Sequence, residues 1–160
     1  MNLHTLSTSN EKYLAFLRRN AILSSSECTI GIASPELHLK IDLERAKSKY
    51  GNVSKGMMNC ALGHRKIWDK LNDTDFVVFE DDAILSISCL SVLKVIEKEY
   101  STSRVPTIVI LGRSKTVRKY LWFENLKFPL RNKKRINGIE IGTKKQNFFG
   151  TVGYYGNKQA

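Results

Sequence analysis

Apolar and polar residues alternate along the chain in blocks that predict strands separated by helices. Two unbroken apolar runs, at residues 76–79 and 107–111, are typical of strands covered on both faces. Residues 2–6 and 28–33 predict two further strands. Strands that alternate with helices favour an α/β fold with a mainly parallel sheet and helices on both of its faces.

Apolar residues at helical spacing predict the helices that connect these strands. The first is expected at about residues 9–22, where Thr8 and Glu11 form a capping-box pattern. The others are expected from Ser34 towards Tyr50, from Ser54 to about Asn72, and from the region of Ile87 to about Tyr100. Within the third helix, the residues expected to face the core are Met58, Ala61, Leu62 and Trp68.

Beyond Arg113 the periodic pattern weakens. Residues 113–135 are basic and aromatic, which predicts a loop with a short helix. Residues 139–142 and 148–155 have the composition of strands, and their proximity in sequence predicts a hairpin.

The composition predicts a cytoplasmic protein. No apolar stretch approaches the ~20 residues needed to span a bilayer, and the first residues are too polar for a signal peptide. The three cysteines, Cys28, Cys60 and Cys89, match no zinc or disulfide-exchange spacing, so reduced and partly buried thiols are expected. Cys60 and Cys89 fall in apolar helical patterns, which favours packing over catalysis for both.

The net charge of +11 is concentrated in one segment. Residues 1–112 hold 14 basic and 13 acidic residues, whereas residues 113–145 hold 11 basic residues and only 2 acidic ones. Such a segment attracts phosphates, anionic lipid headgroups and nucleic acid alike, or it is simply a solvated surface. No nucleic-acid-binding motif accompanies the charge, so nucleic acid is not expected as a partner.

Three consecutive carboxylates, Glu80, Asp81 and Asp82, follow directly on the apolar run at residues 76–79. Ligands of open α/β sheets gather beyond the carboxyl ends of the strands. In an extended segment Glu80 and Asp82 would share one side, where their oxygens suit Mg²⁺ or Mn²⁺. The alternative is an acidic helix N-terminus, in which these side chains only complement the helix dipole.

The middle third of the chain carries a resemblance to a known family. It has the spacing Gly56-x-x-x-Cys60-x-x-x-His64-x-x-x-Trp68, followed one strand later by Phe79-Glu80-Asp81-Asp82-Ala83. This combination resembles the signature of family 25 glycosyltransferases, which include galactosyltransferases of bacterial lipooligosaccharide. Looser similarity covers most of the remaining chain, including the strand-like segment at residues 150–155.

The resemblance implies a GT-A-like fold, a mainly parallel Rossmann-type sheet with flanking helices. Asp82 and Asp81 would be the catalytic residues, Glu80 and Asp82 would bind the Mn²⁺ or Mg²⁺ cofactor, and Gly56, His64 and Glu80 would contact a UDP-sugar donor. The implied reaction transfers a hexose, most simply galactose, to a lipooligosaccharide or lipopolysaccharide acceptor. The basic segment 113–145 would then contact the anionic inner membrane peripherally.

Departures from the family pattern leave an alternative open. Met57 stands where the family has Glu, Asn59 where it has Gly, and Gly63 where it has Ser. Family members also continue beyond this length, so the chain is expected to be a single truncated domain over 1–160 with an incomplete C-terminal part. The alternative is a catalytically inactive remnant that at most binds nucleotide sugar. For His64, the residues alone favour a helix histidine bonded to a nearby backbone carbonyl, and only the motif gives a place at the donor site equal weight.

Overall fold

Strands and helices alternate along the computed structural model, which describes residues 1–23, 26–30, 43–71, 73–113, 131–143 and 151–160. Within these ranges the strands are β1 Asn2–Ser7, β2 Glu27–Ile30, β3 Phe76–Glu80, β4 Ile108–Arg113, β5 Arg131–Ile136, β6 Ile139–Thr143 and β7 Thr151–Gly156. The helices are α1 Asn10–Arg19, α2 Leu43–Tyr50, α3 Lys55–Trp68 and α4 Cys89–Tyr100. The predicted α/β class is therefore confirmed.

The main sheet has the strand order β2-β1-β3-β7-β4 among the described residues. β1 pairs in parallel with both β2 and β3, while β7 runs antiparallel to β3 and to β4. All strands of this sheet except β7 thus point the same way, which confirms the prediction of a mainly parallel sheet. β7 fits beside β3 because two of its residues lack side chains: a Cβ at Gly153 would lie 2.7 Å from Phe79 Cδ1, and one at Gly156 would lie 2.3 Å from Phe76 Cζ.

Apolar cores lie on both faces of this sheet. Successive residues of β3 face opposite sides, so Val77 and Phe79 enter one core while Phe76 and Val78 enter the other. The first core is completed by side chains of α1 and α4, among them Phe16, Leu93 and Ile96. The second receives Ile67 of α3, together with Leu6 and Tyr154. Helices therefore cover both faces, as predicted.

Two helix N-termini differ from the prediction, and α1 and α3 end at Arg19 and Trp68, before the expected ends near residues 22 and 72. The N-cap of α1 is Ser9 rather than Thr8, because the Ser9 hydroxyl accepts the N–H of Lys12 at 3.2 Å. α4 begins at Cys89, and Ile87, which was expected to mark its buried face, is 93% exposed. The residues before α4 instead form a loop. The side chain of Asn20 holds this loop by accepting the N–H of Leu85 at 2.8 Å.

The C-terminal strands pair differently from the predicted hairpin. β6 pairs with β5 across a turn at Asn137 and Gly138, both at positive φ, whereas β7 joins the main sheet. Asn-Gly is the sequence signal for such a turn, and it identifies the correct partner of β6. The predictions for residues 34–42 and 114–130 lie outside the described residues; residues 131–135 form a strand rather than the expected loop.

Candidate functional site

Helix α3 presents the motif residues as a single ridge. Gly56, Cys60, His64 and Trp68 recur every four residues, which places them along one side of a helix. The helix starts where the sequence predicts, since the Ser54 hydroxyl accepts the N–H of Met57 at 3.2 Å.

The buried side of α3 lies elsewhere on its surface. It consists of Leu62, Gly63 and Ile67. Leu62 therefore faces the core as predicted, whereas Ala61 is exposed and Trp68 is 47% exposed. The helical pattern was assigned to the wrong side for these two residues, because the Trp68 indole belongs to the ridge and not to the core.

The ridge meets the carboxyl end of β3 at Glu80. His64 Nε2 lies 3.7 Å from Glu80 Oε1, a distance at which the two groups form an ion pair but no short hydrogen bond. The thiol of Cys60 completes a cluster in which one ligand atom from each residue lies within 4.8 Å of the others. Cys60 is exposed, so the expectation that it packs in the core is wrong.

The imidazole of His64 is oriented by an aromatic pair on its other side. The hydroxyl oxygen of Tyr154 lies 3.0 Å from His64 Nδ1 and accepts the indole N–H of Trp68 at 2.9 Å. The Nδ1 atom of His64 thus contacts a side chain of β7 rather than the backbone carbonyl of the alternative expectation. Burial raises the pKa of the Tyr154 phenol well above its ordinary value, so this hydroxyl stays neutral.

The charge state of His64 follows from its neighbours. Burial by itself lowers the pKa of the imidazole, but the side chains of Cys60 and Glu80 outweigh this effect and raise it to about 9. At neutral pH the ring is therefore an imidazolium. Its Nδ1–H donates to Tyr154, and its Nε2–H faces the carboxylate of Glu80.

The other two carboxylates occupy different environments. Asp81 Oδ2 accepts the Ser7 hydroxyl at 2.6 Å and the N–H of Thr8 at 3.1 Å, which joins the end of β3 to the β1–α1 junction. The Asp81 carbonyl also accepts the guanidinium of Arg19. Asp82 is exposed at the following position. β3 ends at Glu80, so the alternation of side chains along a strand does not extend to Asp82 and does not place it on the same side as Glu80.

The loop after the carboxylates is anchored by a buried amide. Asn20 Nδ2 donates to the carbonyls of Phe16 at 2.9 Å and Ala83 at 3.1 Å, while its Oδ1 accepts the N–H of Leu85. Because α4 begins several residues later and has no acidic residue in its first turn, the helix-dipole explanation for the carboxylates is excluded.

The structure thus brings some of the predicted site residues together and separates others. Glu80 and His64 are in contact, Asp81 faces the β1–α1 junction, Asp82 is exposed, and Gly56 is exposed two helical turns before His64. Sequence reasoning missed the roles of Cys60, Tyr154 and Asn20. The four-residue spacing from Gly56 to Trp68 was the available signal for Cys60, whereas no local signal marks the contacts of Asn20.

Comparison with known protein families bears on the same residues. A sequence profile described as glycosyltransferase family 25 (LPS biosynthesis protein) matches residues 7–160. The chain belongs to glycosyltransferase family 25. Both parts of the candidate site in this transferase, the α3 ridge and the carboxyl end of β3, fall within the matched residues. No individual curated protein matches the chain significantly.

As a family 25 glycosyltransferase, the protein is expected to bind a sugar donor and a glycan acceptor. Among the residues that the structure describes, none of its helices is long and apolar enough to cross a membrane.

Proposed function

We propose that the protein transfers a hexose, in the first instance galactose, from a UDP-sugar to the glycan of lipooligosaccharide or lipopolysaccharide. One observation carries the proposal. The contact between His64 and Glu80 joins the two halves of the family signature into a single site at the carboxyl end of β3. Ligands of α/β sheets bind at this edge. The mainly parallel sheet supports assignment to the GT-A class, and we treat residues 1–160 as one domain of it.

The direction of α3 supports a donor site beyond the strand ends. His64 lies beside the last residue of β3, and Gly56 lies two turns towards the N-terminus, about 12 Å further along the helix axis. We propose that the first turn of α3 faces the diphosphate of the donor. We propose that the exposed Gly56 permits close approach of the nucleotide, and that the imidazolium of His64 faces the donor side.

The carboxylate oxygens present fit a divalent cation. Mg²⁺ and Mn²⁺ are held through one or two carboxylates together with substrate phosphates, and Glu80 and Asp82 offer such oxygens at the strand end. We propose Asp82 as the principal ligand because it is exposed, with Glu80 assisting. When bound, the cation would supply positive charge to the diphosphate leaving group. Asp81 would act by positioning the β1–α1 junction against this site.

The test is UDP release by the purified full chain, supplied with Mn²⁺, UDP-galactose and a lipooligosaccharide acceptor lacking terminal galactose. We expect acceptor-dependent release that Asp82→Ala reduces at least a hundredfold. Asp69→Ala is the matched control, since Asp69 is an exposed aspartate that pairs with Arg65 and lies just beyond the C-terminal end of α3. Release that is equal in both variants, or absent with every UDP-hexose and acceptor tried, would overturn the proposal.

A second candidate function is donor binding without transfer. It is favoured by Met57, a half-exposed thioether on α3 where the family has a carboxylate that could accept a proton. Calorimetric titration with UDP distinguishes the two functions. Binding that requires Mn²⁺ and Asp82 but is never accompanied by turnover would identify the inactive remnant. If Met57→Glu restores turnover, the missing proton acceptor is the carboxylate that the family has at that position.

We also propose that the basic segment 113–145 contacts the anionic inner membrane from the cytoplasm. Its described part is the β5–β6 hairpin, where Arg131, Lys133, Lys134 and Arg135 are exposed. Two of these cations are already paired, Lys133 with Glu140 at 3.2 Å and Lys134 with Glu99. Arg131 and Arg135 are therefore the better candidates for lipid phosphates. The wild-type protein should co-sediment with phosphatidylglycerol vesicles, whereas the Arg131→Glu/Arg135→Glu variant should remain in the supernatant. Neutral vesicles are the control.

A further inference from the structure

The cluster at the end of β3 contains more than oxygen ligands. Cys60 and His64 project from the same side of α3, and Glu80 approaches them from β3, so that one sulfur, one nitrogen and one oxygen ligand lie within 4.8 Å of one another. Thiolate and imidazole ligands select Zn²⁺ and similar transition metals over Mg²⁺ or Ca²⁺. We propose that Cys60, His64 and Glu80 form a binding site for a thiophilic divalent cation of the Zn²⁺ type.

The distances suit a tetrahedral ion. Bonds of Zn²⁺ to sulfur, nitrogen and oxygen place neighbouring ligand atoms roughly 3.3–3.6 Å apart. The separation between His64 Nε2 and Glu80 Oε1 is 3.7 Å, which needs almost no adjustment. The longest separation in the cluster, within 4.8 Å, needs closure by at most about 1.5 Å, and the exposed side chain of Cys60 can supply this by rotation.

The surroundings of His64 support the same assignment independently. A histidine that binds a metal through one ring nitrogen typically donates the other N–H to a fixed oxygen acceptor. The Tyr154 hydroxyl occupies this position at 3.0 Å from Nδ1, and the Trp68 indole N–H fixes that hydroxyl in turn. Nε2 is thereby directed at Glu80 and at the proposed ion. Binding of the ion would displace the Nε2 proton of the imidazolium and the thiol proton of Cys60 to solvent.

The cluster is accessible from solvent and has room for a fourth ligand. Cys60 is exposed, so an ion reaches the cluster directly from solvent. Three protein ligands leave a fourth tetrahedral position for water or a phosphate oxygen, the arrangement of zinc sites that bind ligands. The site shares Glu80 with the cation site proposed above but does not depend on sugar transfer. Zinc-type ions and the donor cation would therefore compete for this carboxylate.

The test is titration of the reduced full chain with Co²⁺, which reports thiolate and tetrahedral coordination by its absorption. We expect one ion per chain, a thiolate-to-cobalt charge-transfer band in the near ultraviolet, and displacement by Zn²⁺. Cys60→Ser should remove the band, while the controls Cys28→Ser and Cys89→Ser should keep it. Since Cys60 is exposed, its replacement by serine should leave the circular dichroism spectrum unchanged.

Variants of the aromatic pair test the orientation of His64. Tyr154→Phe should weaken Co²⁺ binding at least about tenfold, as loss of an outer hydrogen bond to a metal-binding histidine does elsewhere. Tyr155→Phe is the matched control, because its hydroxyl bonds Asp75 on the opposite face of the sheet. Absence of Co²⁺ binding, or a charge-transfer band that survives Cys60→Ser, would overturn the metal site. If the wild-type protein binds Co²⁺ as expected but releases no UDP, only the transferase proposal is refuted.

Discussion

The hydroxyl of Tyr154 lies 3.0 Å from Nδ1 of His64, although the two residues are 90 positions apart in the sequence. This contact ties β7 to the ridge of α3 and fixes which nitrogen of the imidazole faces Glu80. The family signature is thus held in place by a strand that lies far from it in sequence. Some residues hold the site together, whereas others would touch its ligands.

Replacing Tyr154 by Phe leaves the Trp68 N–H and His64 Nδ1 without their shared partner. We expect the free energy of unfolding in urea to fall by about 1–3 kcal/mol, the usual cost of unsatisfied, largely buried polar groups. Tyr155→Phe should destabilise comparably through loss of its 2.6 Å hydrogen bond to Asp75. Only Tyr154→Phe should shift the NMR resonances of the His64 ring. If both variants leave that ring unchanged, the Tyr154 contact does not form in solution.

Asp81 and Asp82 are adjacent carboxylates with different expected effects on stability. Asp81→Ala removes the acceptor of the Ser7 hydroxyl and the Thr8 N–H, so unfolding should become easier by about 1–3 kcal/mol. Asp82→Ala changes an exposed side chain and should stay within about 0.5 kcal/mol of the wild type. Urea unfolding of both variants measures the difference. Equal effects would mean that Asp81 does not join β3 to the β1–α1 junction.

The sequence predicted the central part of this arrangement better than its ends. The apolar run before Glu80 identified β3 because a strand buried on both faces needs apolar residues at every position. Ser54 identified the start of α3 because an N-cap is a local hydrogen bond. The position of β7 between β3 and β4 depends on space beside Phe76 and Phe79, which no local pattern reports.

The position of Asp82 likewise depends on contacts that no local sequence pattern reports. Placing Glu80 and Asp82 on one side requires an extended backbone through position 82, but β3 ends at Glu80. The chain turns there because Ala83 N–H bonds the Glu80 carbonyl at 3.0 Å and Asn20 holds the loop that follows. The contact between Asn20 and Ala83 joins residues 63 positions apart, so spacing within the motif does not reveal it.

Asn20→Asp should destabilise the protein in a pH-dependent manner. The new carboxylate would face the carbonyls of Phe16 and Ala83, which accept hydrogen bonds from the amide in the wild type. Because burial raises the pKa of such a carboxyl, the folded variant binds more protons than the unfolded one, and its stability rises as the pH falls. We expect a loss of at least about 3 kcal/mol at pH 7, partly recovered at pH 5.

The matched control for this change is Asn157→Asp. Asn157 is also buried and donates to the carbonyls of Val105, Ser103 and Tyr100, far along the chain from the carboxylates. Its replacement should show the same pH dependence of unfolding. Under conditions where both variants are folded, only Asn20→Asp should weaken Mn²⁺-dependent UDP binding. Equal loss of binding in both would mean that the loop after Asp82 has no special relation to the donor.

Two glycines distinguish close approach to a ligand from close packing in the fold. A Cβ at Gly56 would meet only Ser54 Oγ at 3.8 Å, so Gly56→Ala should change stability by less than about 1 kcal/mol. A Cβ at Gly156 would lie 2.3 Å from Phe76 Cζ, so Gly156→Ala should cost about 1–3 kcal/mol through overpacking. If the nucleotide approaches the backbone at Gly56, Gly56→Ala should nevertheless weaken UDP binding about tenfold, equivalent to about 1.4 kcal/mol. Calorimetry at a temperature where both variants are folded should show this loss for Gly56→Ala alone. Wild-type affinity in Gly56→Ala would remove Gly56 from the donor site while leaving the roles of His64 and Asp82 open to their own tests.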